Sequence, residues 1–213
     1  MAVEKIDWNA RVAELRERSQ SERREEGARA VGLGGVAEDV SLEAAHEKRW
    51  DRAIPMRYRH ARLSDLSGDL AGVAEWDGKS DVLLLGNVGA GKTHAAVALA
   101  RQAHDSGLMV MFRPALALIE AMKPGRDDQA LERATSADLL LLDDLGTERQ
   151  TDFAADRLSL LLVTRYDDCK PTVVTSNLSP DLLERQVGER VWSRLYHDSL
   201  RIATADVDRR RVA

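Results

Sequence analysis

From about Leu63 onward, short apolar runs alternate with longer segments of mixed polarity. Val82–Leu85, Val110–Phe112, Leu139–Leu142 and Thr172–Thr175 are free of charged residues. A strand with one wet face would alternate apolar with polar positions. Unbroken runs instead predict strands covered on both faces, as in a parallel sheet flanked by helices. The pattern is α/β, with a helix over Thr93–His104 after the first run. Before Leu63 the chain reads differently. Residues from Asp7 to Ala30 are dense in charges of alternating sign, with Trp8, Val12 and Leu15 as sparse apolar positions. That predicts an exposed amphipathic helix, broken by the glycines of Val31–Gly35. Ser41 opens a second helix, acidic at its start through Glu43 and Glu47, basic near its end, and stopped by Pro55.

Composition narrows the class. The 213 residues, 44% hydrophobic, suffice for one domain and a short helical N-terminal extension. No apolar run approaches the length that crosses a bilayer, and the N-terminus lacks a secretion-signal layout, so a cytoplasmic protein with no membrane partner is expected. A single cysteine, Cys169, excludes an internal disulfide framework and a cysteine-based zinc site. The net charge of −5 argues against blanketing duplex DNA by bulk electrostatics, while leaving room for a local basic groove.

The chemistry begins at Gly86-Asn87-Val88-Gly89-Ala90-Gly91-Lys92-Thr93, which satisfies G-x-x-x-x-G-K-[ST] between a strand and a helix. Glycines at 86, 89 and 91 let successive backbone N–H groups turn inward toward phosphate oxygens, and the helix N-terminus adds positive potential. Lys92 is expected to reach the β- and γ-phosphates of ATP, and the Thr93 hydroxyl to ligate Mg²⁺. Fifty residues beyond Thr93, the run Leu139–Leu142 ends in Asp143 and Asp144. A buried strand ending in acid delivers carboxylates to the sheet edge where the phosphate loop also lies. Asp143 is expected to hold the magnesium and Asp144 to polarise the attacking water. Alone, the two acids read better as caps of the turn before Gly146; the phosphate loop upstream reverses that. The strand Thr172–Thr175 likewise ends in a polar amide, Asn177, which reads either as a turn residue before Pro180 or as a γ-phosphate contact.

Together these motifs resemble the AAA+ subgroup of P-loop NTPases, and Asn177 matches their sensor-1 position. Further on, Gly188-Glu-Arg190-Val-Trp-Ser-Arg194-Leu195 puts two arginines four apart on one helical face, as an ordinary surface helix also does. The order of phosphate loop, Asp143-Asp144, Asn177 and this pair is similar to the DnaC-type helicase loaders and the related IstB transposition ATPases. The resemblance covers residues 53 to 211 and includes Ile54-Pro-Met-Arg-Tyr-Arg59. It implies that Arg194 reaches the ATP of a neighbouring subunit, with Arg190 in support. It also implies a final strand at Arg201–Thr204, no C-terminal helical lid, and Arg210 as the last nucleotide-contacting arginine.

The implied division is an adaptor segment over 1–55 and an ATPase domain over 56–213. The implied activity is ATP hydrolysis in a homo-oligomer that loads a replicative helicase onto DNA in a bacterium or phage, with transposition helper as the alternative. A small-molecule kinase fits less well, since strand-end acids paired with Asn177 belong to the ATPases. The loaders often carry Asp-Glu where this chain has Asp143-Asp144, so slow turnover is expected. Single-stranded DNA contact is implied too, with Arg101, Arg113 and Lys123 flanking Pro114–Met122 as candidates and a solvated helix face as the alternative.

Overall fold

The computed structural model describes residues 47–204. The predicted helix over Asp7–Ala30, the start of the second helix and Arg210 lie outside them. Five strands run in parallel: β1 (Val82–Leu85), β2 (Val110–Pro114), β3 (Leu139–Asp143), β4 (Thr172–Ser176) and β5 (Leu200–Ala203). Their order across the sheet is β2-β3-β4-β1-β5. The helices are α1 (Lys92–Asp105), α2 (Ala115–Ala121), α3 (Ala130–Ser136), α4 (Asp152–Asp167), α5 (Pro180–Val187) and α6 (Glu189–His197). Each strand matches its predicted run to within two residues. Among the described residues no helix follows β5, and none is long and apolar enough to cross a membrane.

The unbroken apolar runs have the predicted cause. Val82 and Leu84 of β1, with Leu139 and Leu141 of β3, face α1 and the short 3-10 turns before β1. Leu83 and Leu85, with Leu140 and Leu142, face α2, α4, α5 and α6. Every residue of β1, β3 and β4 is buried because both sheet faces are covered.

The layer over α1 reaches back past the break expected at Pro55. Residues 47–53 are helical, and Trp50 and Ile54 are each 1% exposed within the same core cluster. The Trp50 ring lies 5.1 Å from the His104 ring on α1, and the Arg101 guanidinium lies 5.1 Å from Trp50's centroid. Arg101 also pairs with Glu47 and Asp105. Within the structure Arg101 is thus engaged in the domain's own packing. This docking was not legible in the sequence, where the segment read only as a second helix stopped by Pro55.

On the other face, α4 carries a fully buried arginine. Arg165 donates through Nε to Thr172 Oγ1 at 3.0 Å and through its two Nη atoms to the carbonyls of Ala134, Thr135, Ala137 and Pro171. The carbonyls of Ala134 and Thr135 belong to the C-terminal end of α3, which lacks intrahelical donors for them. One guanidinium thereby fastens α3, α4 and the start of β4 together.

A nucleotide cleft at the carboxyl edge of the sheet

The strand order decides which side chains meet. β4 lies between β1 and β3, so the chain leaving β4 emerges between the phosphate loop after β1 and the acidic turn after β3. Asn177, one residue past β4, occupies that gap. Its Oδ1 accepts from Lys92 Nζ at 2.7 Å, and its Nδ2 donates to Asp144 Oδ1 at 3.3 Å. Lys92 also donates to the carbonyls of Gly86 and Asn87 at 2.6 and 2.8 Å. Lys92 as a residue is 5% exposed, so these partners compensate a buried charge.

The loop itself is set by backbone geometry. Gly86, Gly89 and Gly91 all have positive φ. At Gly86 a side chain is excluded twice over, since φ is 141° and a Cβ there would sit 2.0 Å from Thr204 Oγ1, where the chain leaves β5. Gly91 begins α1 with φ 95° and no side chain caps that end, so the first N–H groups of α1 face the loop without a capping acceptor. Such groups, beside a lysine, suit phosphate oxygens.

Thr93 and Asp143 converge on one point: Thr93 Oγ1 donates to Asp143 Oδ1 at 2.9 Å, and Thr175 Oγ1 donates to the same oxygen at 2.7 Å. Burial pushes the Asp143 carboxyl above the usual carboxylate range, and the hydrogen bonds from Thr175 and Thr93 oppose that rise. The neighbouring Asp144 adds to the rise, while Lys92 counters it. A buried carboxylate with that bias, flanked by a hydroxyl, fits a hard divalent cation that takes oxygen ligands. Asp144 stands beside it in the left-handed region, with φ 54°, and its N–H donates to Thr175 Oγ1 at 2.9 Å. Non-glycine residues are uncommon there, and the conformation keeps Asp144 at the mouth while Asp143 points inward.

These residues line a cleft of about 720 Å³, within the range that accommodates a nucleotide. Its other wall was not foreseen from the sequence. Arg57, Tyr58, His60, Leu66 and Leu70 come from the turns before β1, and His94 from α1. Ile54–Arg59 was visible as a lead-in, but its contact with the phosphate loop depends on how Trp50 and Ile54 dock. Thr175 was missed as well; it is one of three hydroxyl residues in β4, and the sequence does not set it apart from Thr172 and Ser176.

Arg190 and Arg194 do not reach this cleft. Arg194 is partly buried at the opposite edge, where the strands begin, in a second cavity of about 660 Å³ lined also by Lys79, Asp81, Arg165, Tyr166 and Lys170. Its guanidinium carbon lies 5.5 Å from the Tyr166 ring centroid, and its Nη1 donates to the Arg190 carbonyl at 3.2 Å. Its Nε is buried without a hydrogen-bond partner. Arg190 is exposed. Among the DNA candidates, Arg113 donates to the Phe112 carbonyl and Lys123 pairs with Glu120.

Comparison with known proteins bears on the family and the fold. A stretch of 145 residues is 33% identical to an ATP-binding protein of insertion sequence IS21 from Pseudomonas aeruginosa, covering 66% of this chain and 51% of that protein. The replicative helicase loader DnaC of Escherichia coli is 25% identical over 130 residues, 58% of this chain and 53% of the loader. The chain thus spans about half the length of these curated relatives. The crystal structure of the DnaC helicase loader matches with a TM-score of 0.62 at 25% identity, over 71% of this chain and all of that one. The crystal structure of DnaI, at 22% identity and a TM-score of 0.61, shares the fold. Residues 49–210 match the profile of the IstB-like ATP binding protein, and the chain belongs to that family of AAA+ proteins.

Proposed function

We propose that the chain is an ATPase that loads a replicative helicase onto DNA, with hydrolysis at the interface between two protomers. The observation that carries the reading is the bridge from Lys92 through Asn177 to Asp144 at one sheet edge, while Arg194 stands at the other. A group on the far edge of one protomer can complete the cleft of the next. Magnesium, when bound, would neutralise charge on the phosphates. Asp143 and Thr93 would hold it, and the backbone of Gly86 to Thr93 would cradle the phosphate chain. Lys92 exchanges its carbonyl partners for the β- and γ-phosphates. Asn177 touches the γ-phosphate, and Asp144 orients the water that attacks it, giving ADP and phosphate. Arg194 of the neighbour stabilises the charge that develops, supported by Arg190. Arg210 is the remaining candidate contact.

The protein works in the cytoplasm, where replication machinery assembles. We place the separable adaptor before residue 47, since Trp50 and Ile54 belong to the ATPase core. That segment grips the helicase, and single-stranded DNA passes near Arg113 and Lys123. Its test is a loading assay: a host replicative helicase on protein-coated circular single-stranded DNA, with ATP and this chain or its Lys92→Ala variant. ATP-dependent unwinding with the wild type only is expected; none with either ends the loader reading. The identity of 33% to the IS21 protein, against 25% to the loader, favours a second reading as transposition helper. Stimulated strand transfer by a transposase, without effect on unwinding, would select it.

A further inference from the structure

The nucleotide cleft leaves one buried acid unexplained. Glu148 is 6% exposed and lies four residues beyond Asp144, outside the cleft lining. One carboxylate oxygen accepts the Gly146 N–H at 2.9 Å. The other accepts from Gln186 Nε2 of α5 at 3.2 Å, and the Glu148 carbonyl takes the same amide at 3.3 Å. The turn that Glu148 closes is tightly determined. Thr147 N–H and Oγ1 both donate to the Asp144 carbonyl, and the Leu145 N–H donates to the Thr175 carbonyl. Gly146 has φ 99°, and a Cβ there would meet Leu178 Cδ1 at 2.4 Å. The acidic turn therefore has little freedom to move unless the partners of Glu148 move with it.

Those partners lead to Arg194. Gln186 lies in the last turn of α5, and Gly188 alone separates α5 from α6. Gly188 has φ 84° and open space where a Cβ would be, so it serves the bend and not the packing. From Asp144 the path runs through the Gly146 N–H, Glu148, Gln186 and Gly188 to the helix bearing Arg190 and Arg194. Asn177 enters the same arm from its other end, because Ser179 caps α5 two residues later.

We propose that Glu148 is a positioning residue that ties Asp144, in a protomer's own cleft, to the α5–α6 arm that presents Arg194 to the next protomer. It rests on the reading of the cleft as an ATP site. Loss of the tie leaves nucleotide binding intact but lets Asp144 and Arg194 adjust independently, which weakens the chemical step.

The test uses the full chain with Glu148→Ala, Glu148→Gln and Gln186→Leu. Glu148→Ala should bind a labelled ATP analogue with unchanged affinity while kcat falls on the order of 10–100-fold, as small misplacements near reacting atoms do. Glu148→Gln should recover most of the rate, because its Oε1 accepts the Gly146 N–H and the Gln186 amide can turn to accept from the new Nε2. Added to Asp144→Asn, Glu148→Ala should cause no further loss, which a purely structural role would not predict. Hydrogen exchange gives a readout free of turnover. The analogue should slow exchange across residues 180–197 of the wild type, and Gln186→Leu should abolish that response without lowering affinity. A wild type that binds the analogue yet shows no change over 180–197 overturns the coupling and leaves the ATP site standing. A wild type that binds no ATP overturns both.

Discussion

The two ends of the parallel sheet treat charge in opposite ways. At the carboxyl edge, Lys92, Asn177, Asp143 and Asp144 are joined by hydrogen bonds that a ligand can replace, since Lys92 rests on two backbone carbonyls and an amide oxygen. At the amino edge, Arg165 is fixed by a hydroxyl and four backbone carbonyls of the domain's own core. Arg194, in the same cavity, lies against Tyr166 with its Nε unpartnered. On the proposed reading, the first edge gathers a triphosphate from within a single chain. The second sets an anchored arginine beside a partly buried one whose Nε has no partner. The difference teaches that burial alone does not identify a functional cation; the replaceability of its partners does.

The sharpest way to break this contrast is to remove the second arginine. Arg194→Ala should bind ATP normally but lose about 10³–10⁵ in turnover, the range measured for arginines supplied to phosphoryl transfer. Mixed with Lys92→Ala, which keeps its arginine but lacks a working cleft, it should regain part of the activity, more so at higher protein concentration. Oligomers that form yet stay inactive would return Arg194 to the role of a surface residue.

Next in size are changes inside the cleft. Asp144→Asn should keep ATP affinity and lose on the order of 10²–10⁴ in rate, as for a removed general base. Steady-state hydrolysis beside equilibrium binding reads both; a wild-type rate would move the role to another residue. Lys92→Ala removes charge-assisted hydrogen bonds of about 1.5–3 kcal/mol, so affinity should fall up to ~100-fold with the unfolding midpoint little changed. Undiminished affinity would remove the phosphate loop from the binding site.

The carboxyl edge was far more legible in the sequence than the amino edge. The spacing of the glycines with Lys92 and Thr93 between a strand and a helix has few alternative uses, and it gave the two acids, ambiguous by themselves, a role. The topology then brought Asn177 between the loop and the acids. Arg165 and Asp81 carried no such signal: an arginine near the end of a helix and an acid before a strand look like solvated surface. Only the fold brings the end of α3 and the β4 entry against them, burying Arg165 and partly burying Asp81. Trp50 carried no signal either. Its partner, His104, lies 54 residues away, a separation that local periodicity does not encode.

The smallest predicted effect tests how the amino edge carries its buried charges. Asp81 is partly buried, its Oδ1 accepts the Thr172 N–H at 2.6 Å, and burial raises its carboxyl from 3.8 to about 6, against the opposing pull of that hydrogen bond and of Arg165. Arg165 is correspondingly pushed down to about 10 by burial. A carboxyl with a higher pKa in the folded state holds its proton longer there than in the unfolded chain. Folding stability from this group therefore falls as pH rises from about 4 to about 6, and the full cost persists above that window. At ~1.4 kcal/mol per pH unit the ceiling is about 3 kcal/mol, and solvent reaching the carboxyl reduces it to about 1–2. Asp81→Asn keeps an oxygen for the Thr172 N–H and removes the charge. It should be more stable than wild type by that amount at pH 7.5, and the gap should close toward pH 4. Urea unfolding of both proteins across this range measures it. If the variant is instead the less stable at pH 7.5, attraction between Asp81 and Arg165 outweighs the burial of either, and the amino edge is held by an ion pair, not by the carbonyl cage around Arg165.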